Sequence, residues 1–574
     1  MHSLDRRNVA GIHVIRARGT ADERARAHMT LMRHEARTGA LQHLSEKNEW
    51  MIRKAPGPLQ WKPLQAAVLA FYRKLLIPYM DRHTVPEYRR LIEVISDSLG
   101  VSRDWVRSSL FQPDAFMLLC RISVMKYLLP QMPSGGLPGC TSATVLKGWT
   151  REGKLMVARN QDYPVVGPWE PNTTVMFSEP TEVDQIPHVS ITTAGVHGLG
   201  LTAMNREGIT VSSHAHFGRK VSLRGQPVIV VGSEIIRHAK SVGEAVDIAR
   251  RIPTIANWAF MVASARENDA VVIEKTPSKT CVRQAEDGFL SHTNYFHSPE
   301  LQGQEARISA AYTEDLVGRI CRIREILEKD RGSLEPHHLS RALGDPRDYF
   351  SGEDRVVGNT VSVITTIKSA VFEPETQRFW VSARRESPMG LGDFVEFRAD
   401  RFWEEDWSEE KAQMMPRISG FKDTKPGFLE SVAEYRKAYQ AWHMSHGDPL
   451  SDQNTLVHLK KAVAHFPSDG HLWTQMGLVS FRLKEFSEAR RAFEEALSRK
   501  LSPAIRGVCQ LFLARCWDLA GDRVRALECY AKYPEGMDDP RLAEAFRRGR
   551  EKPFRLTGVD QIMVDLQFPD TLAY

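Results

Sequence analysis

The pattern of apolar and polar positions divides the chain into three parts. Residues 11–18 alternate and predict a strand that turns at Gly19. Thr20-Ala21-Asp22-Glu23 has the form of a capping box, with Thr20 as the cap and Glu23 reaching back to it. A long helix is expected next, with Arg24, Arg26, His28 and Arg33 on its wetter sides. Helical patterns continue over 64–79 and 86–99. Another starts near Pro113, a residue suited to a first helical turn, and extends to 129.

From about residue 140 the period shortens. Residues 144–149, 155–160, 173–177, 188–193, 198–204 and 209–213 are β-like runs. Turns such as Arg151-Glu152-Gly153 and Asn205-Arg206-Glu207-Gly208 separate them. Two helices are expected at 229–240 and 242–251, strands at 260–265 and 270–275, and a helix over 305–330. A last pair of strands is expected at 361–367 and 378–383. Strands, helices and strands in this order predict sheets covered by helices.

Beyond 400, Phe402-Trp403 and Trp407 lie in an acidic, irregular linker. Trp473, Met476, Gly477, Ala489, Phe493 and Ala496 then follow the tetratricopeptide spacing of large and small positions. Leu459, Ala462 and Pro467 echo it before, and Ala514, Trp517, Ala526 and Tyr530 echo it afterwards. A generic bundle of helical hairpins would carry the same pattern. The organisation expected is a leading segment over 1–139, a sheet-rich domain over 140–398 and a linker over 399–430. Helical repeats over 431–550 and a capping or docking tail over 551–574 complete it.

Composition narrows the function classes. A chain of 574 residues exceeds one core, and a net charge of +6 is small for that length. No long basic block or aromatic-basic interleaving points to nucleic acid. The cysteines at 120, 140, 281, 321, 509, 516 and 529 form no CxxC pair, so neither a zinc site nor a disulfide framework is signalled. That usage fits a reducing compartment. No apolar leader core follows Met1 and no apolar run of membrane length occurs, so the expected address is the cytoplasm.

Five stretches hold the candidate chemistry. Pro138-Gly139-Cys140-Thr141-Ser142, approached through Ser134-Gly135-Gly136, reads in two ways. It is a loop entering a strand with a buried cysteine, or a backbone bond that the protein cuts itself to leave Cys140 as a new N-terminus. Arg159-Asn160-Gln161-Asp162 ends a strand with an arginine and a carboxylate three residues apart, which is also the form of a surface ion pair. Met204-Asn205-Arg206-Glu207-Gly208 has the form of a hairpin turn. Ser291-His292-Thr293-Asn294-Tyr295-Phe296-His297 mixes polar and aromatic residues with no helical or strand period. Glu305-Ala306-Arg307-Ile308-Ser309 opens a helix.

Together and in this order, these stretches resemble the cysteine-type N-terminal nucleophile (Ntn) hydrolases. Within them the resemblance is to the acyl-coenzyme A:6-aminopenicillanic acid acyltransferase family, peptidase family C45; bile salt hydrolases and penicillin V acylases are more distant. It covers roughly residues 11 to 398 and includes Arg18-Gly19-Thr20 and Glu23-Arg24 at the start. Its sharpest motifs are Gly139-Cys140-Thr141-Ser142, Arg159-Asn160-Gln161-Asp162 and His292-Thr293-Asn294-Tyr295-Phe296. Ala25, Ala27 and Met29 stand where the family favours glycine, Tyr163 where tryptophan is common, and the repeats are an addition.

The resemblance implies an α+β fold, a four-layer αββα Ntn-hydrolase sandwich. It implies self-cleavage between Gly139 and Cys140, and an amide cut or formed through a thioester on Cys140. A lone thiol with a pKa of about 8.5 needs a base. The freed α-amine, at about 7.7 to 8.0, would supply it on the same residue. The implied roles give Asp162 the amine, Arg159 the thiolate or substrate carbonyl, and Asn294 the oxyanion. Asn205 would support Asn294 or position substrate, and Arg307 matches an active-site arginine of the bile salt hydrolase branch. Trp169 and Trp258 line a pocket or merely pack. No cofactor or metal is implied, although acyl-coenzyme A or another acyl thioester is a possible co-substrate. The expected partners are a small amide or acyl thioester and, through the repeats, a protein or carrier protein. A different reading makes the repeats a peptide-binding scaffold with an inert front domain.

Overall fold

The computed structural model describes residues 5–54, 61–119, 139–164, 166–305, 309–402, 415–445, 449–534, 537, 539–562 and 564–571. Over these residues the protein is a mixed α+β structure with two large sheets and a helical C-terminal region. Pro138 and the approach to it lie outside the described residues, as does Arg307.

The first sheet runs in the order β1 (Asp5–Val9), β2 (Ile12–Gly19), β5 (Thr173–Pro180), β6 (His188–Thr193), β7 (Thr202–Asn205), β8 (Ile209–His216), β9 (Asn257–Ser264), β10 (Asp269–Lys275), β11 (Thr280–Gln284). The second runs β12 (Phe289–His292), β3 (Gly139–Val145), β4 (Met156–Asp162), β13 (Thr366–Glu373), β14 (Arg378–Ser382), β15 (Phe394–Arg398), β16 (Arg417–Ile418). All neighbouring strands are antiparallel except β2 and β5, which are parallel. The parallel pair ties the leading segment into the first sheet.

Alternation along the strands sets the cores. Val157, Phe177, Val189, Met261, Phe372, Phe379 and Phe397 form one buried cluster drawn from both sheets. Val211, Phe260 and Ile273 turn the other way and pack on Ile235 and Ile248 of the helices Val228–His238 and Val242–Arg251. Helices of the leading segment join the same cluster through Ile95, Phe111 and Phe116. On the far side of the second sheet, Val145, Ala158, Val371 and Trp380 pack on Ile323 and Leu327 of the helix Ala310–Glu328 and on Leu339 of Pro336–Leu343. Each such side chain taken from water contributes about 1.5–3 kcal/mol before entropy.

The expected capping box is present: Thr20 Oγ1 accepts from Glu23 N–H and Glu23 Oε2 from Thr20 N–H. Arg24 and His28 are buried, not wet. Arg24 reaches inward to the Gly19 carbonyl, Glu182 and Gln185, a polar cluster that sequence spacing does not reveal. The helical pattern over 64–79 is broken by a π-turn at Tyr72–Leu76. The strand expected at 144–149 begins at Gly139, and the one expected at 361–367 begins at Thr366. In β3 both faces are buried, so Thr141, Ser142 and Thr144 give no alternation to read.

The C-terminal helices pair as hairpins: Phe428–Ser445 with Pro449–His465, Gly470–Arg482 with Phe486–Leu497, and Pro503–Leu519 with Arg523–Tyr530. A Cβ on Gly477 would lie 2.6 Å from the Phe493 ring, so that crossing needs glycine. The tail turns back in a small hairpin, β17 (Val564–Asp565) and β18 (Asp570–Thr571), and Phe568 packs on Tyr312. The helical region also grips the sheet-rich part. Ala310 N–H donates to Asp539 Oδ2 at 2.9 Å, and Ala504 N–H to Glu314 Oε1 at 2.8 Å. Arg355 Nη1 and Val356 N–H donate to Asp469 at 3.2 and 2.7 Å.

Candidate active site

Antiparallel register brings the first two motifs together. Across β3 and β4, Gly139 pairs with Asp162, Cys140 with Gln161 and Ser142 with Arg159. Paired residues share a face, so Cys140, Ser142, Arg159 and Gln161 look between the sheets, while Gly139 and Asp162 look the other way. The candidate nucleophile therefore stands on a central strand, with a carboxylate beside its leading peptide bond.

Arg159 Nη2 lies 2.9 Å from Cys140 Sγ and also donates to the Ser213 carbonyl at 2.5 Å. Nη1 meets Ser142 Oγ at 3.2 Å and His214 Nε2 at 3.1 Å. The thiol itself donates to the Ser213 carbonyl at 3.6 Å. Burial pushes the Cys140 thiol up, and the Arg159 charge opposes that only in part. As the chain stands, the sulfur holds its proton. Burial keeps His214 neutral, and its contacts are with Ser142 and Arg159 rather than with Sγ. Among the described residues no histidine hydrogen-bonds the sulfur.

Asn294 follows β12 and reaches across to the backbone of Cys140. Its Oδ1 accepts from Cys140 N–H at 2.8 Å, and its Nδ2 donates to the Ala215 carbonyl at 3.0 Å. In the uncut chain it therefore meets Cys140 through its acceptor, and one of its two amide hydrogens is already engaged. Asp162 is fully buried. Its Oδ1 accepts from Thr366 Oγ1 at 2.7 Å, while Oδ2 has no hydrogen-bond partner and lies 3.7 Å from Arg319 Nη1. Burial pushes its carboxyl up to about 6, with the Arg319 charge pulling the other way.

Arg319 was not among the sequence candidates. It projects from Ala310–Glu328 and donates to the Cys140 carbonyl at 2.8 Å and to Thr141 Oγ1 at 2.9 Å. Asp315, one turn earlier, holds its Nε at 2.9 Å. The Asp315–Arg319 spacing is visible in the sequence, but it looks like any exposed pair on a helix. Only packing against β3 makes it buried. The structure does not bring Asn205 to this cluster. Its Nδ2 donates to the carbonyls of Ile236 and Ala239, and its Oδ1 accepts from the amides of Glu207 and Ile209. Those four bonds make it the pin of a hairpin turn. Arg307 lies outside the described residues.

Residues 149–388 match the family of acyl-coenzyme A:6-aminopenicillanic acid acyl-transferase. The match takes in Arg159, Asp162, Asn294 and Arg319 and begins shortly after Cys140. It supports an acyltransferase or Ntn-hydrolase type of enzyme for the sheet-rich part. No curated protein matches the chain.

A cavity of about 80 Å³ opens onto Cys140, Arg159, Gln161 and Asp162. Trp169 and Trp258 line it together with Tyr163, Leu201 and Ile229, and so do Leu44, Leu110 and Pro113 of the leading segment. Its walls are mostly apolar, with room for a short acyl chain or several waters. Among the described residues no group of three or more His, Cys, Asp or Glu could hold a metal ion, and no helix is long and apolar enough to cross a membrane.

Proposed function

We propose that the protein is a self-processing cysteine Ntn amidohydrolase or N-acyltransferase that works through a thioester on Cys140. In the precursor, Sγ attacks the Gly139 carbonyl. The C–N bond to Cys140 breaks, a C–S bond forms, and the thiol proton passes to the Cys140 nitrogen. Water then hydrolyses this thioester, leaving a Gly139 carboxylate and Cys140 with a free thiol and α-amine. In turnover the amine takes the thiol proton and the thiolate attacks the substrate carbonyl. The leaving group takes the proton, and water or a second amine resolves the acyl-enzyme.

The observation that carries this reading is the placement of Cys140 between three groups with distinct uses. Arg159 lies at the sulfur, Asn294 Oδ1 at the nitrogen and Arg319 at the carbonyl. Asp162 Oδ2, which accepts no hydrogen bond and lies beside Gly139, is suited to hold the α-ammonium once it forms. Asn294 then orients the amine through Oδ1, and its remaining amide hydrogen is the one available to a developing oxyanion. The fold we assign is the four-layer αββα sandwich, with tetratricopeptide-like hairpins appended. Acyl thioesters, acyl-coenzyme A among them, are donors of the right chemistry, and the hairpins would serve a protein or carrier partner in the cytoplasm. The scaffold alternative is not favoured, because the matched family is one of enzymes.

Mass spectrometry of the purified protein is the test. Two fragments split before Cys140 are expected from the wild type and an intact chain from Cys140→Ala. A wild type that stays whole under native conditions removes the self-processing step.

A further inference from the structure

Lys368 sits in the same row as the nucleophile. Cys140 pairs with Gln161 on β4, and Gln161 pairs in turn with Lys368 on β13. The register shifts between Thr366 and Lys368, so Ile367 is an inserted residue. A bulge of this kind re-aims the side chains that follow it. Here it sets Lys368 on the face of Cys140, two strand spacings away, or about 10 Å between Cα atoms. Both residues line the same cavity.

Lys368 is 3 % exposed. Its ammonium donates to Thr193 Oγ1 and stands 6.0 Å from the centre of the Trp169 ring. Among the described residues it makes no ion pair. Glu170 acts on it only at long range, and that carboxylate already accepts from the amides of Gly167 and Ser387. Burial pushes the Lys368 amine down to about 7. A second lysine, Lys47 of Ala40–Lys54, lies 4.7 Å from the centre of the Tyr163 ring, and its Nζ has no hydrogen-bond partner. Tyr163 and Trp169 are themselves in contact, with ring centres 4.6 Å apart.

The charges do not balance. Arg319 is matched by Asp315 and Asp162, whereas the contacts of Arg159 are neutral acceptors and the thiol. Two arginines thus stand with two carboxylates, and Lys368 is the amine left without a carboxylate in ion-pair contact among the described residues. A buried ammonium without a counter-ion costs several kcal/mol, and a bound anion would offset that cost.

We propose that Lys368 is an anion subsite beside Cys140, so that the substrate carries a carboxylate on its acyl group or on its amine. This inference rests on Cys140 being the acylated nucleophile.

Two matched probe pairs test it on the full-length protein. The first is a pair of thiophenyl esters whose acyl chains end in a carboxylate or in the carboxamide, with acylation of Cys140 followed by mass. The second is N-hexanoylglycine against N-hexanoylglycinamide, followed by release of the amine. The carboxylate member of one pair is expected to react roughly 10- to 100-fold faster, as a charge-assisted hydrogen bond allows. The pair that discriminates identifies which half of the substrate carries the charge. In Lys368→Met the ratio should fall towards one, and in Lys368→Arg much of it should persist. A wild type that discriminates in neither pair overturns the subsite, whether or not the variants fold. A preference that survives in Lys368→Met does the same. Acylation without discrimination leaves the nucleophile standing and removes only the subsite, whereas Cys140 left unmodified by every probe removes both.

Discussion

Gly139 and Asp162 face each other across β3 and β4 so closely that a Cβ on Gly139 would lie 3.0 Å from Asp162 Oδ2. The missing side chain leaves room for that approach, and the approach puts a carboxylate oxygen beside the proposed cleavage point. Gly139→Ala should therefore slow fragment formation by about tenfold or more while the melting temperature moves by only a few degrees. A time course on denaturing gels measures the first and a thermal melt the second. Equal cleavage rates in variant and wild type would show that the contact is idle.

Arg159 is the cation nearest to the sulfur. Its charge opposes the upward push of burial on the thiol, so Arg159→Met should move the Cys140 pKa higher still. The expected readout is the rate of iodoacetamide alkylation against pH, with the midpoint displaced to higher pH in the variant. An unmoved midpoint would deny Arg159 its effect on the thiol.

Arg319 braces Cys140, pairs with the buried Asp315 and lies near the buried Asp162. Arg319→Met leaves Asp315 without its partner and should cost about 3–5 kcal/mol in urea unfolding. Adding Asp315→Asn to that variant should recover part of the loss, because the stranded charge is removed with it. Strict additivity of the two substitutions would mean that they do not interact.

The elements with a strong period were legible in the sequence, and the site was legible in pieces. The Thr20–Glu23 box, the helix Val242–Arg251 and the strand His188–Thr193 stand where their patterns predict. Cys140, Arg159, Asp162 and Asn294 meet in one place. Arg319 and Lys368 were not legible, for different reasons. Arg319 is set by a helix packing on β3, and Lys368 by a bulge that shifts register by one residue. Asn205 misled because an asparagine that pins a turn and one that serves a site look the same until its partners are known.

The Asp162 carboxyl, pushed up to about 6 by burial, makes stability depend on pH. In the unfolded chain it titrates near 3.9, so the folded protein holds this proton more tightly. The wild type should gain most over Asp162→Asn below pH 4. That advantage should fall by up to about 3 kcal/mol as pH rises through 6. Urea unfolding of both proteins between pH 4 and 7 tests the sign, and a difference that grows with pH would contradict it.

Asp539 caps the helix Pro540–Glu551 and also accepts from Ala310 N–H, at the start of the helix that carries Arg319. Asp539→Ala should lower stability by about 1–3 kcal/mol. Deleting residues 430–574 should go further and abolish cleavage before Cys140, because Ala311, Val356 and Ile364 would lose their apolar cover. Processing that persists in the truncated protein would mean that the helices only recruit.

The leading segment is woven into the first sheet by β2 on β5, and Leu44 and Leu110 form part of the cavity wall. Scission at Gly139 would therefore liberate nothing. The two pieces would travel as one noncovalent heterodimer, eluting near 65.0 kDa on gel filtration and parting only in denaturant. On this view the region ahead of the cut is a permanent subunit of the enzyme, not a discarded inhibitor.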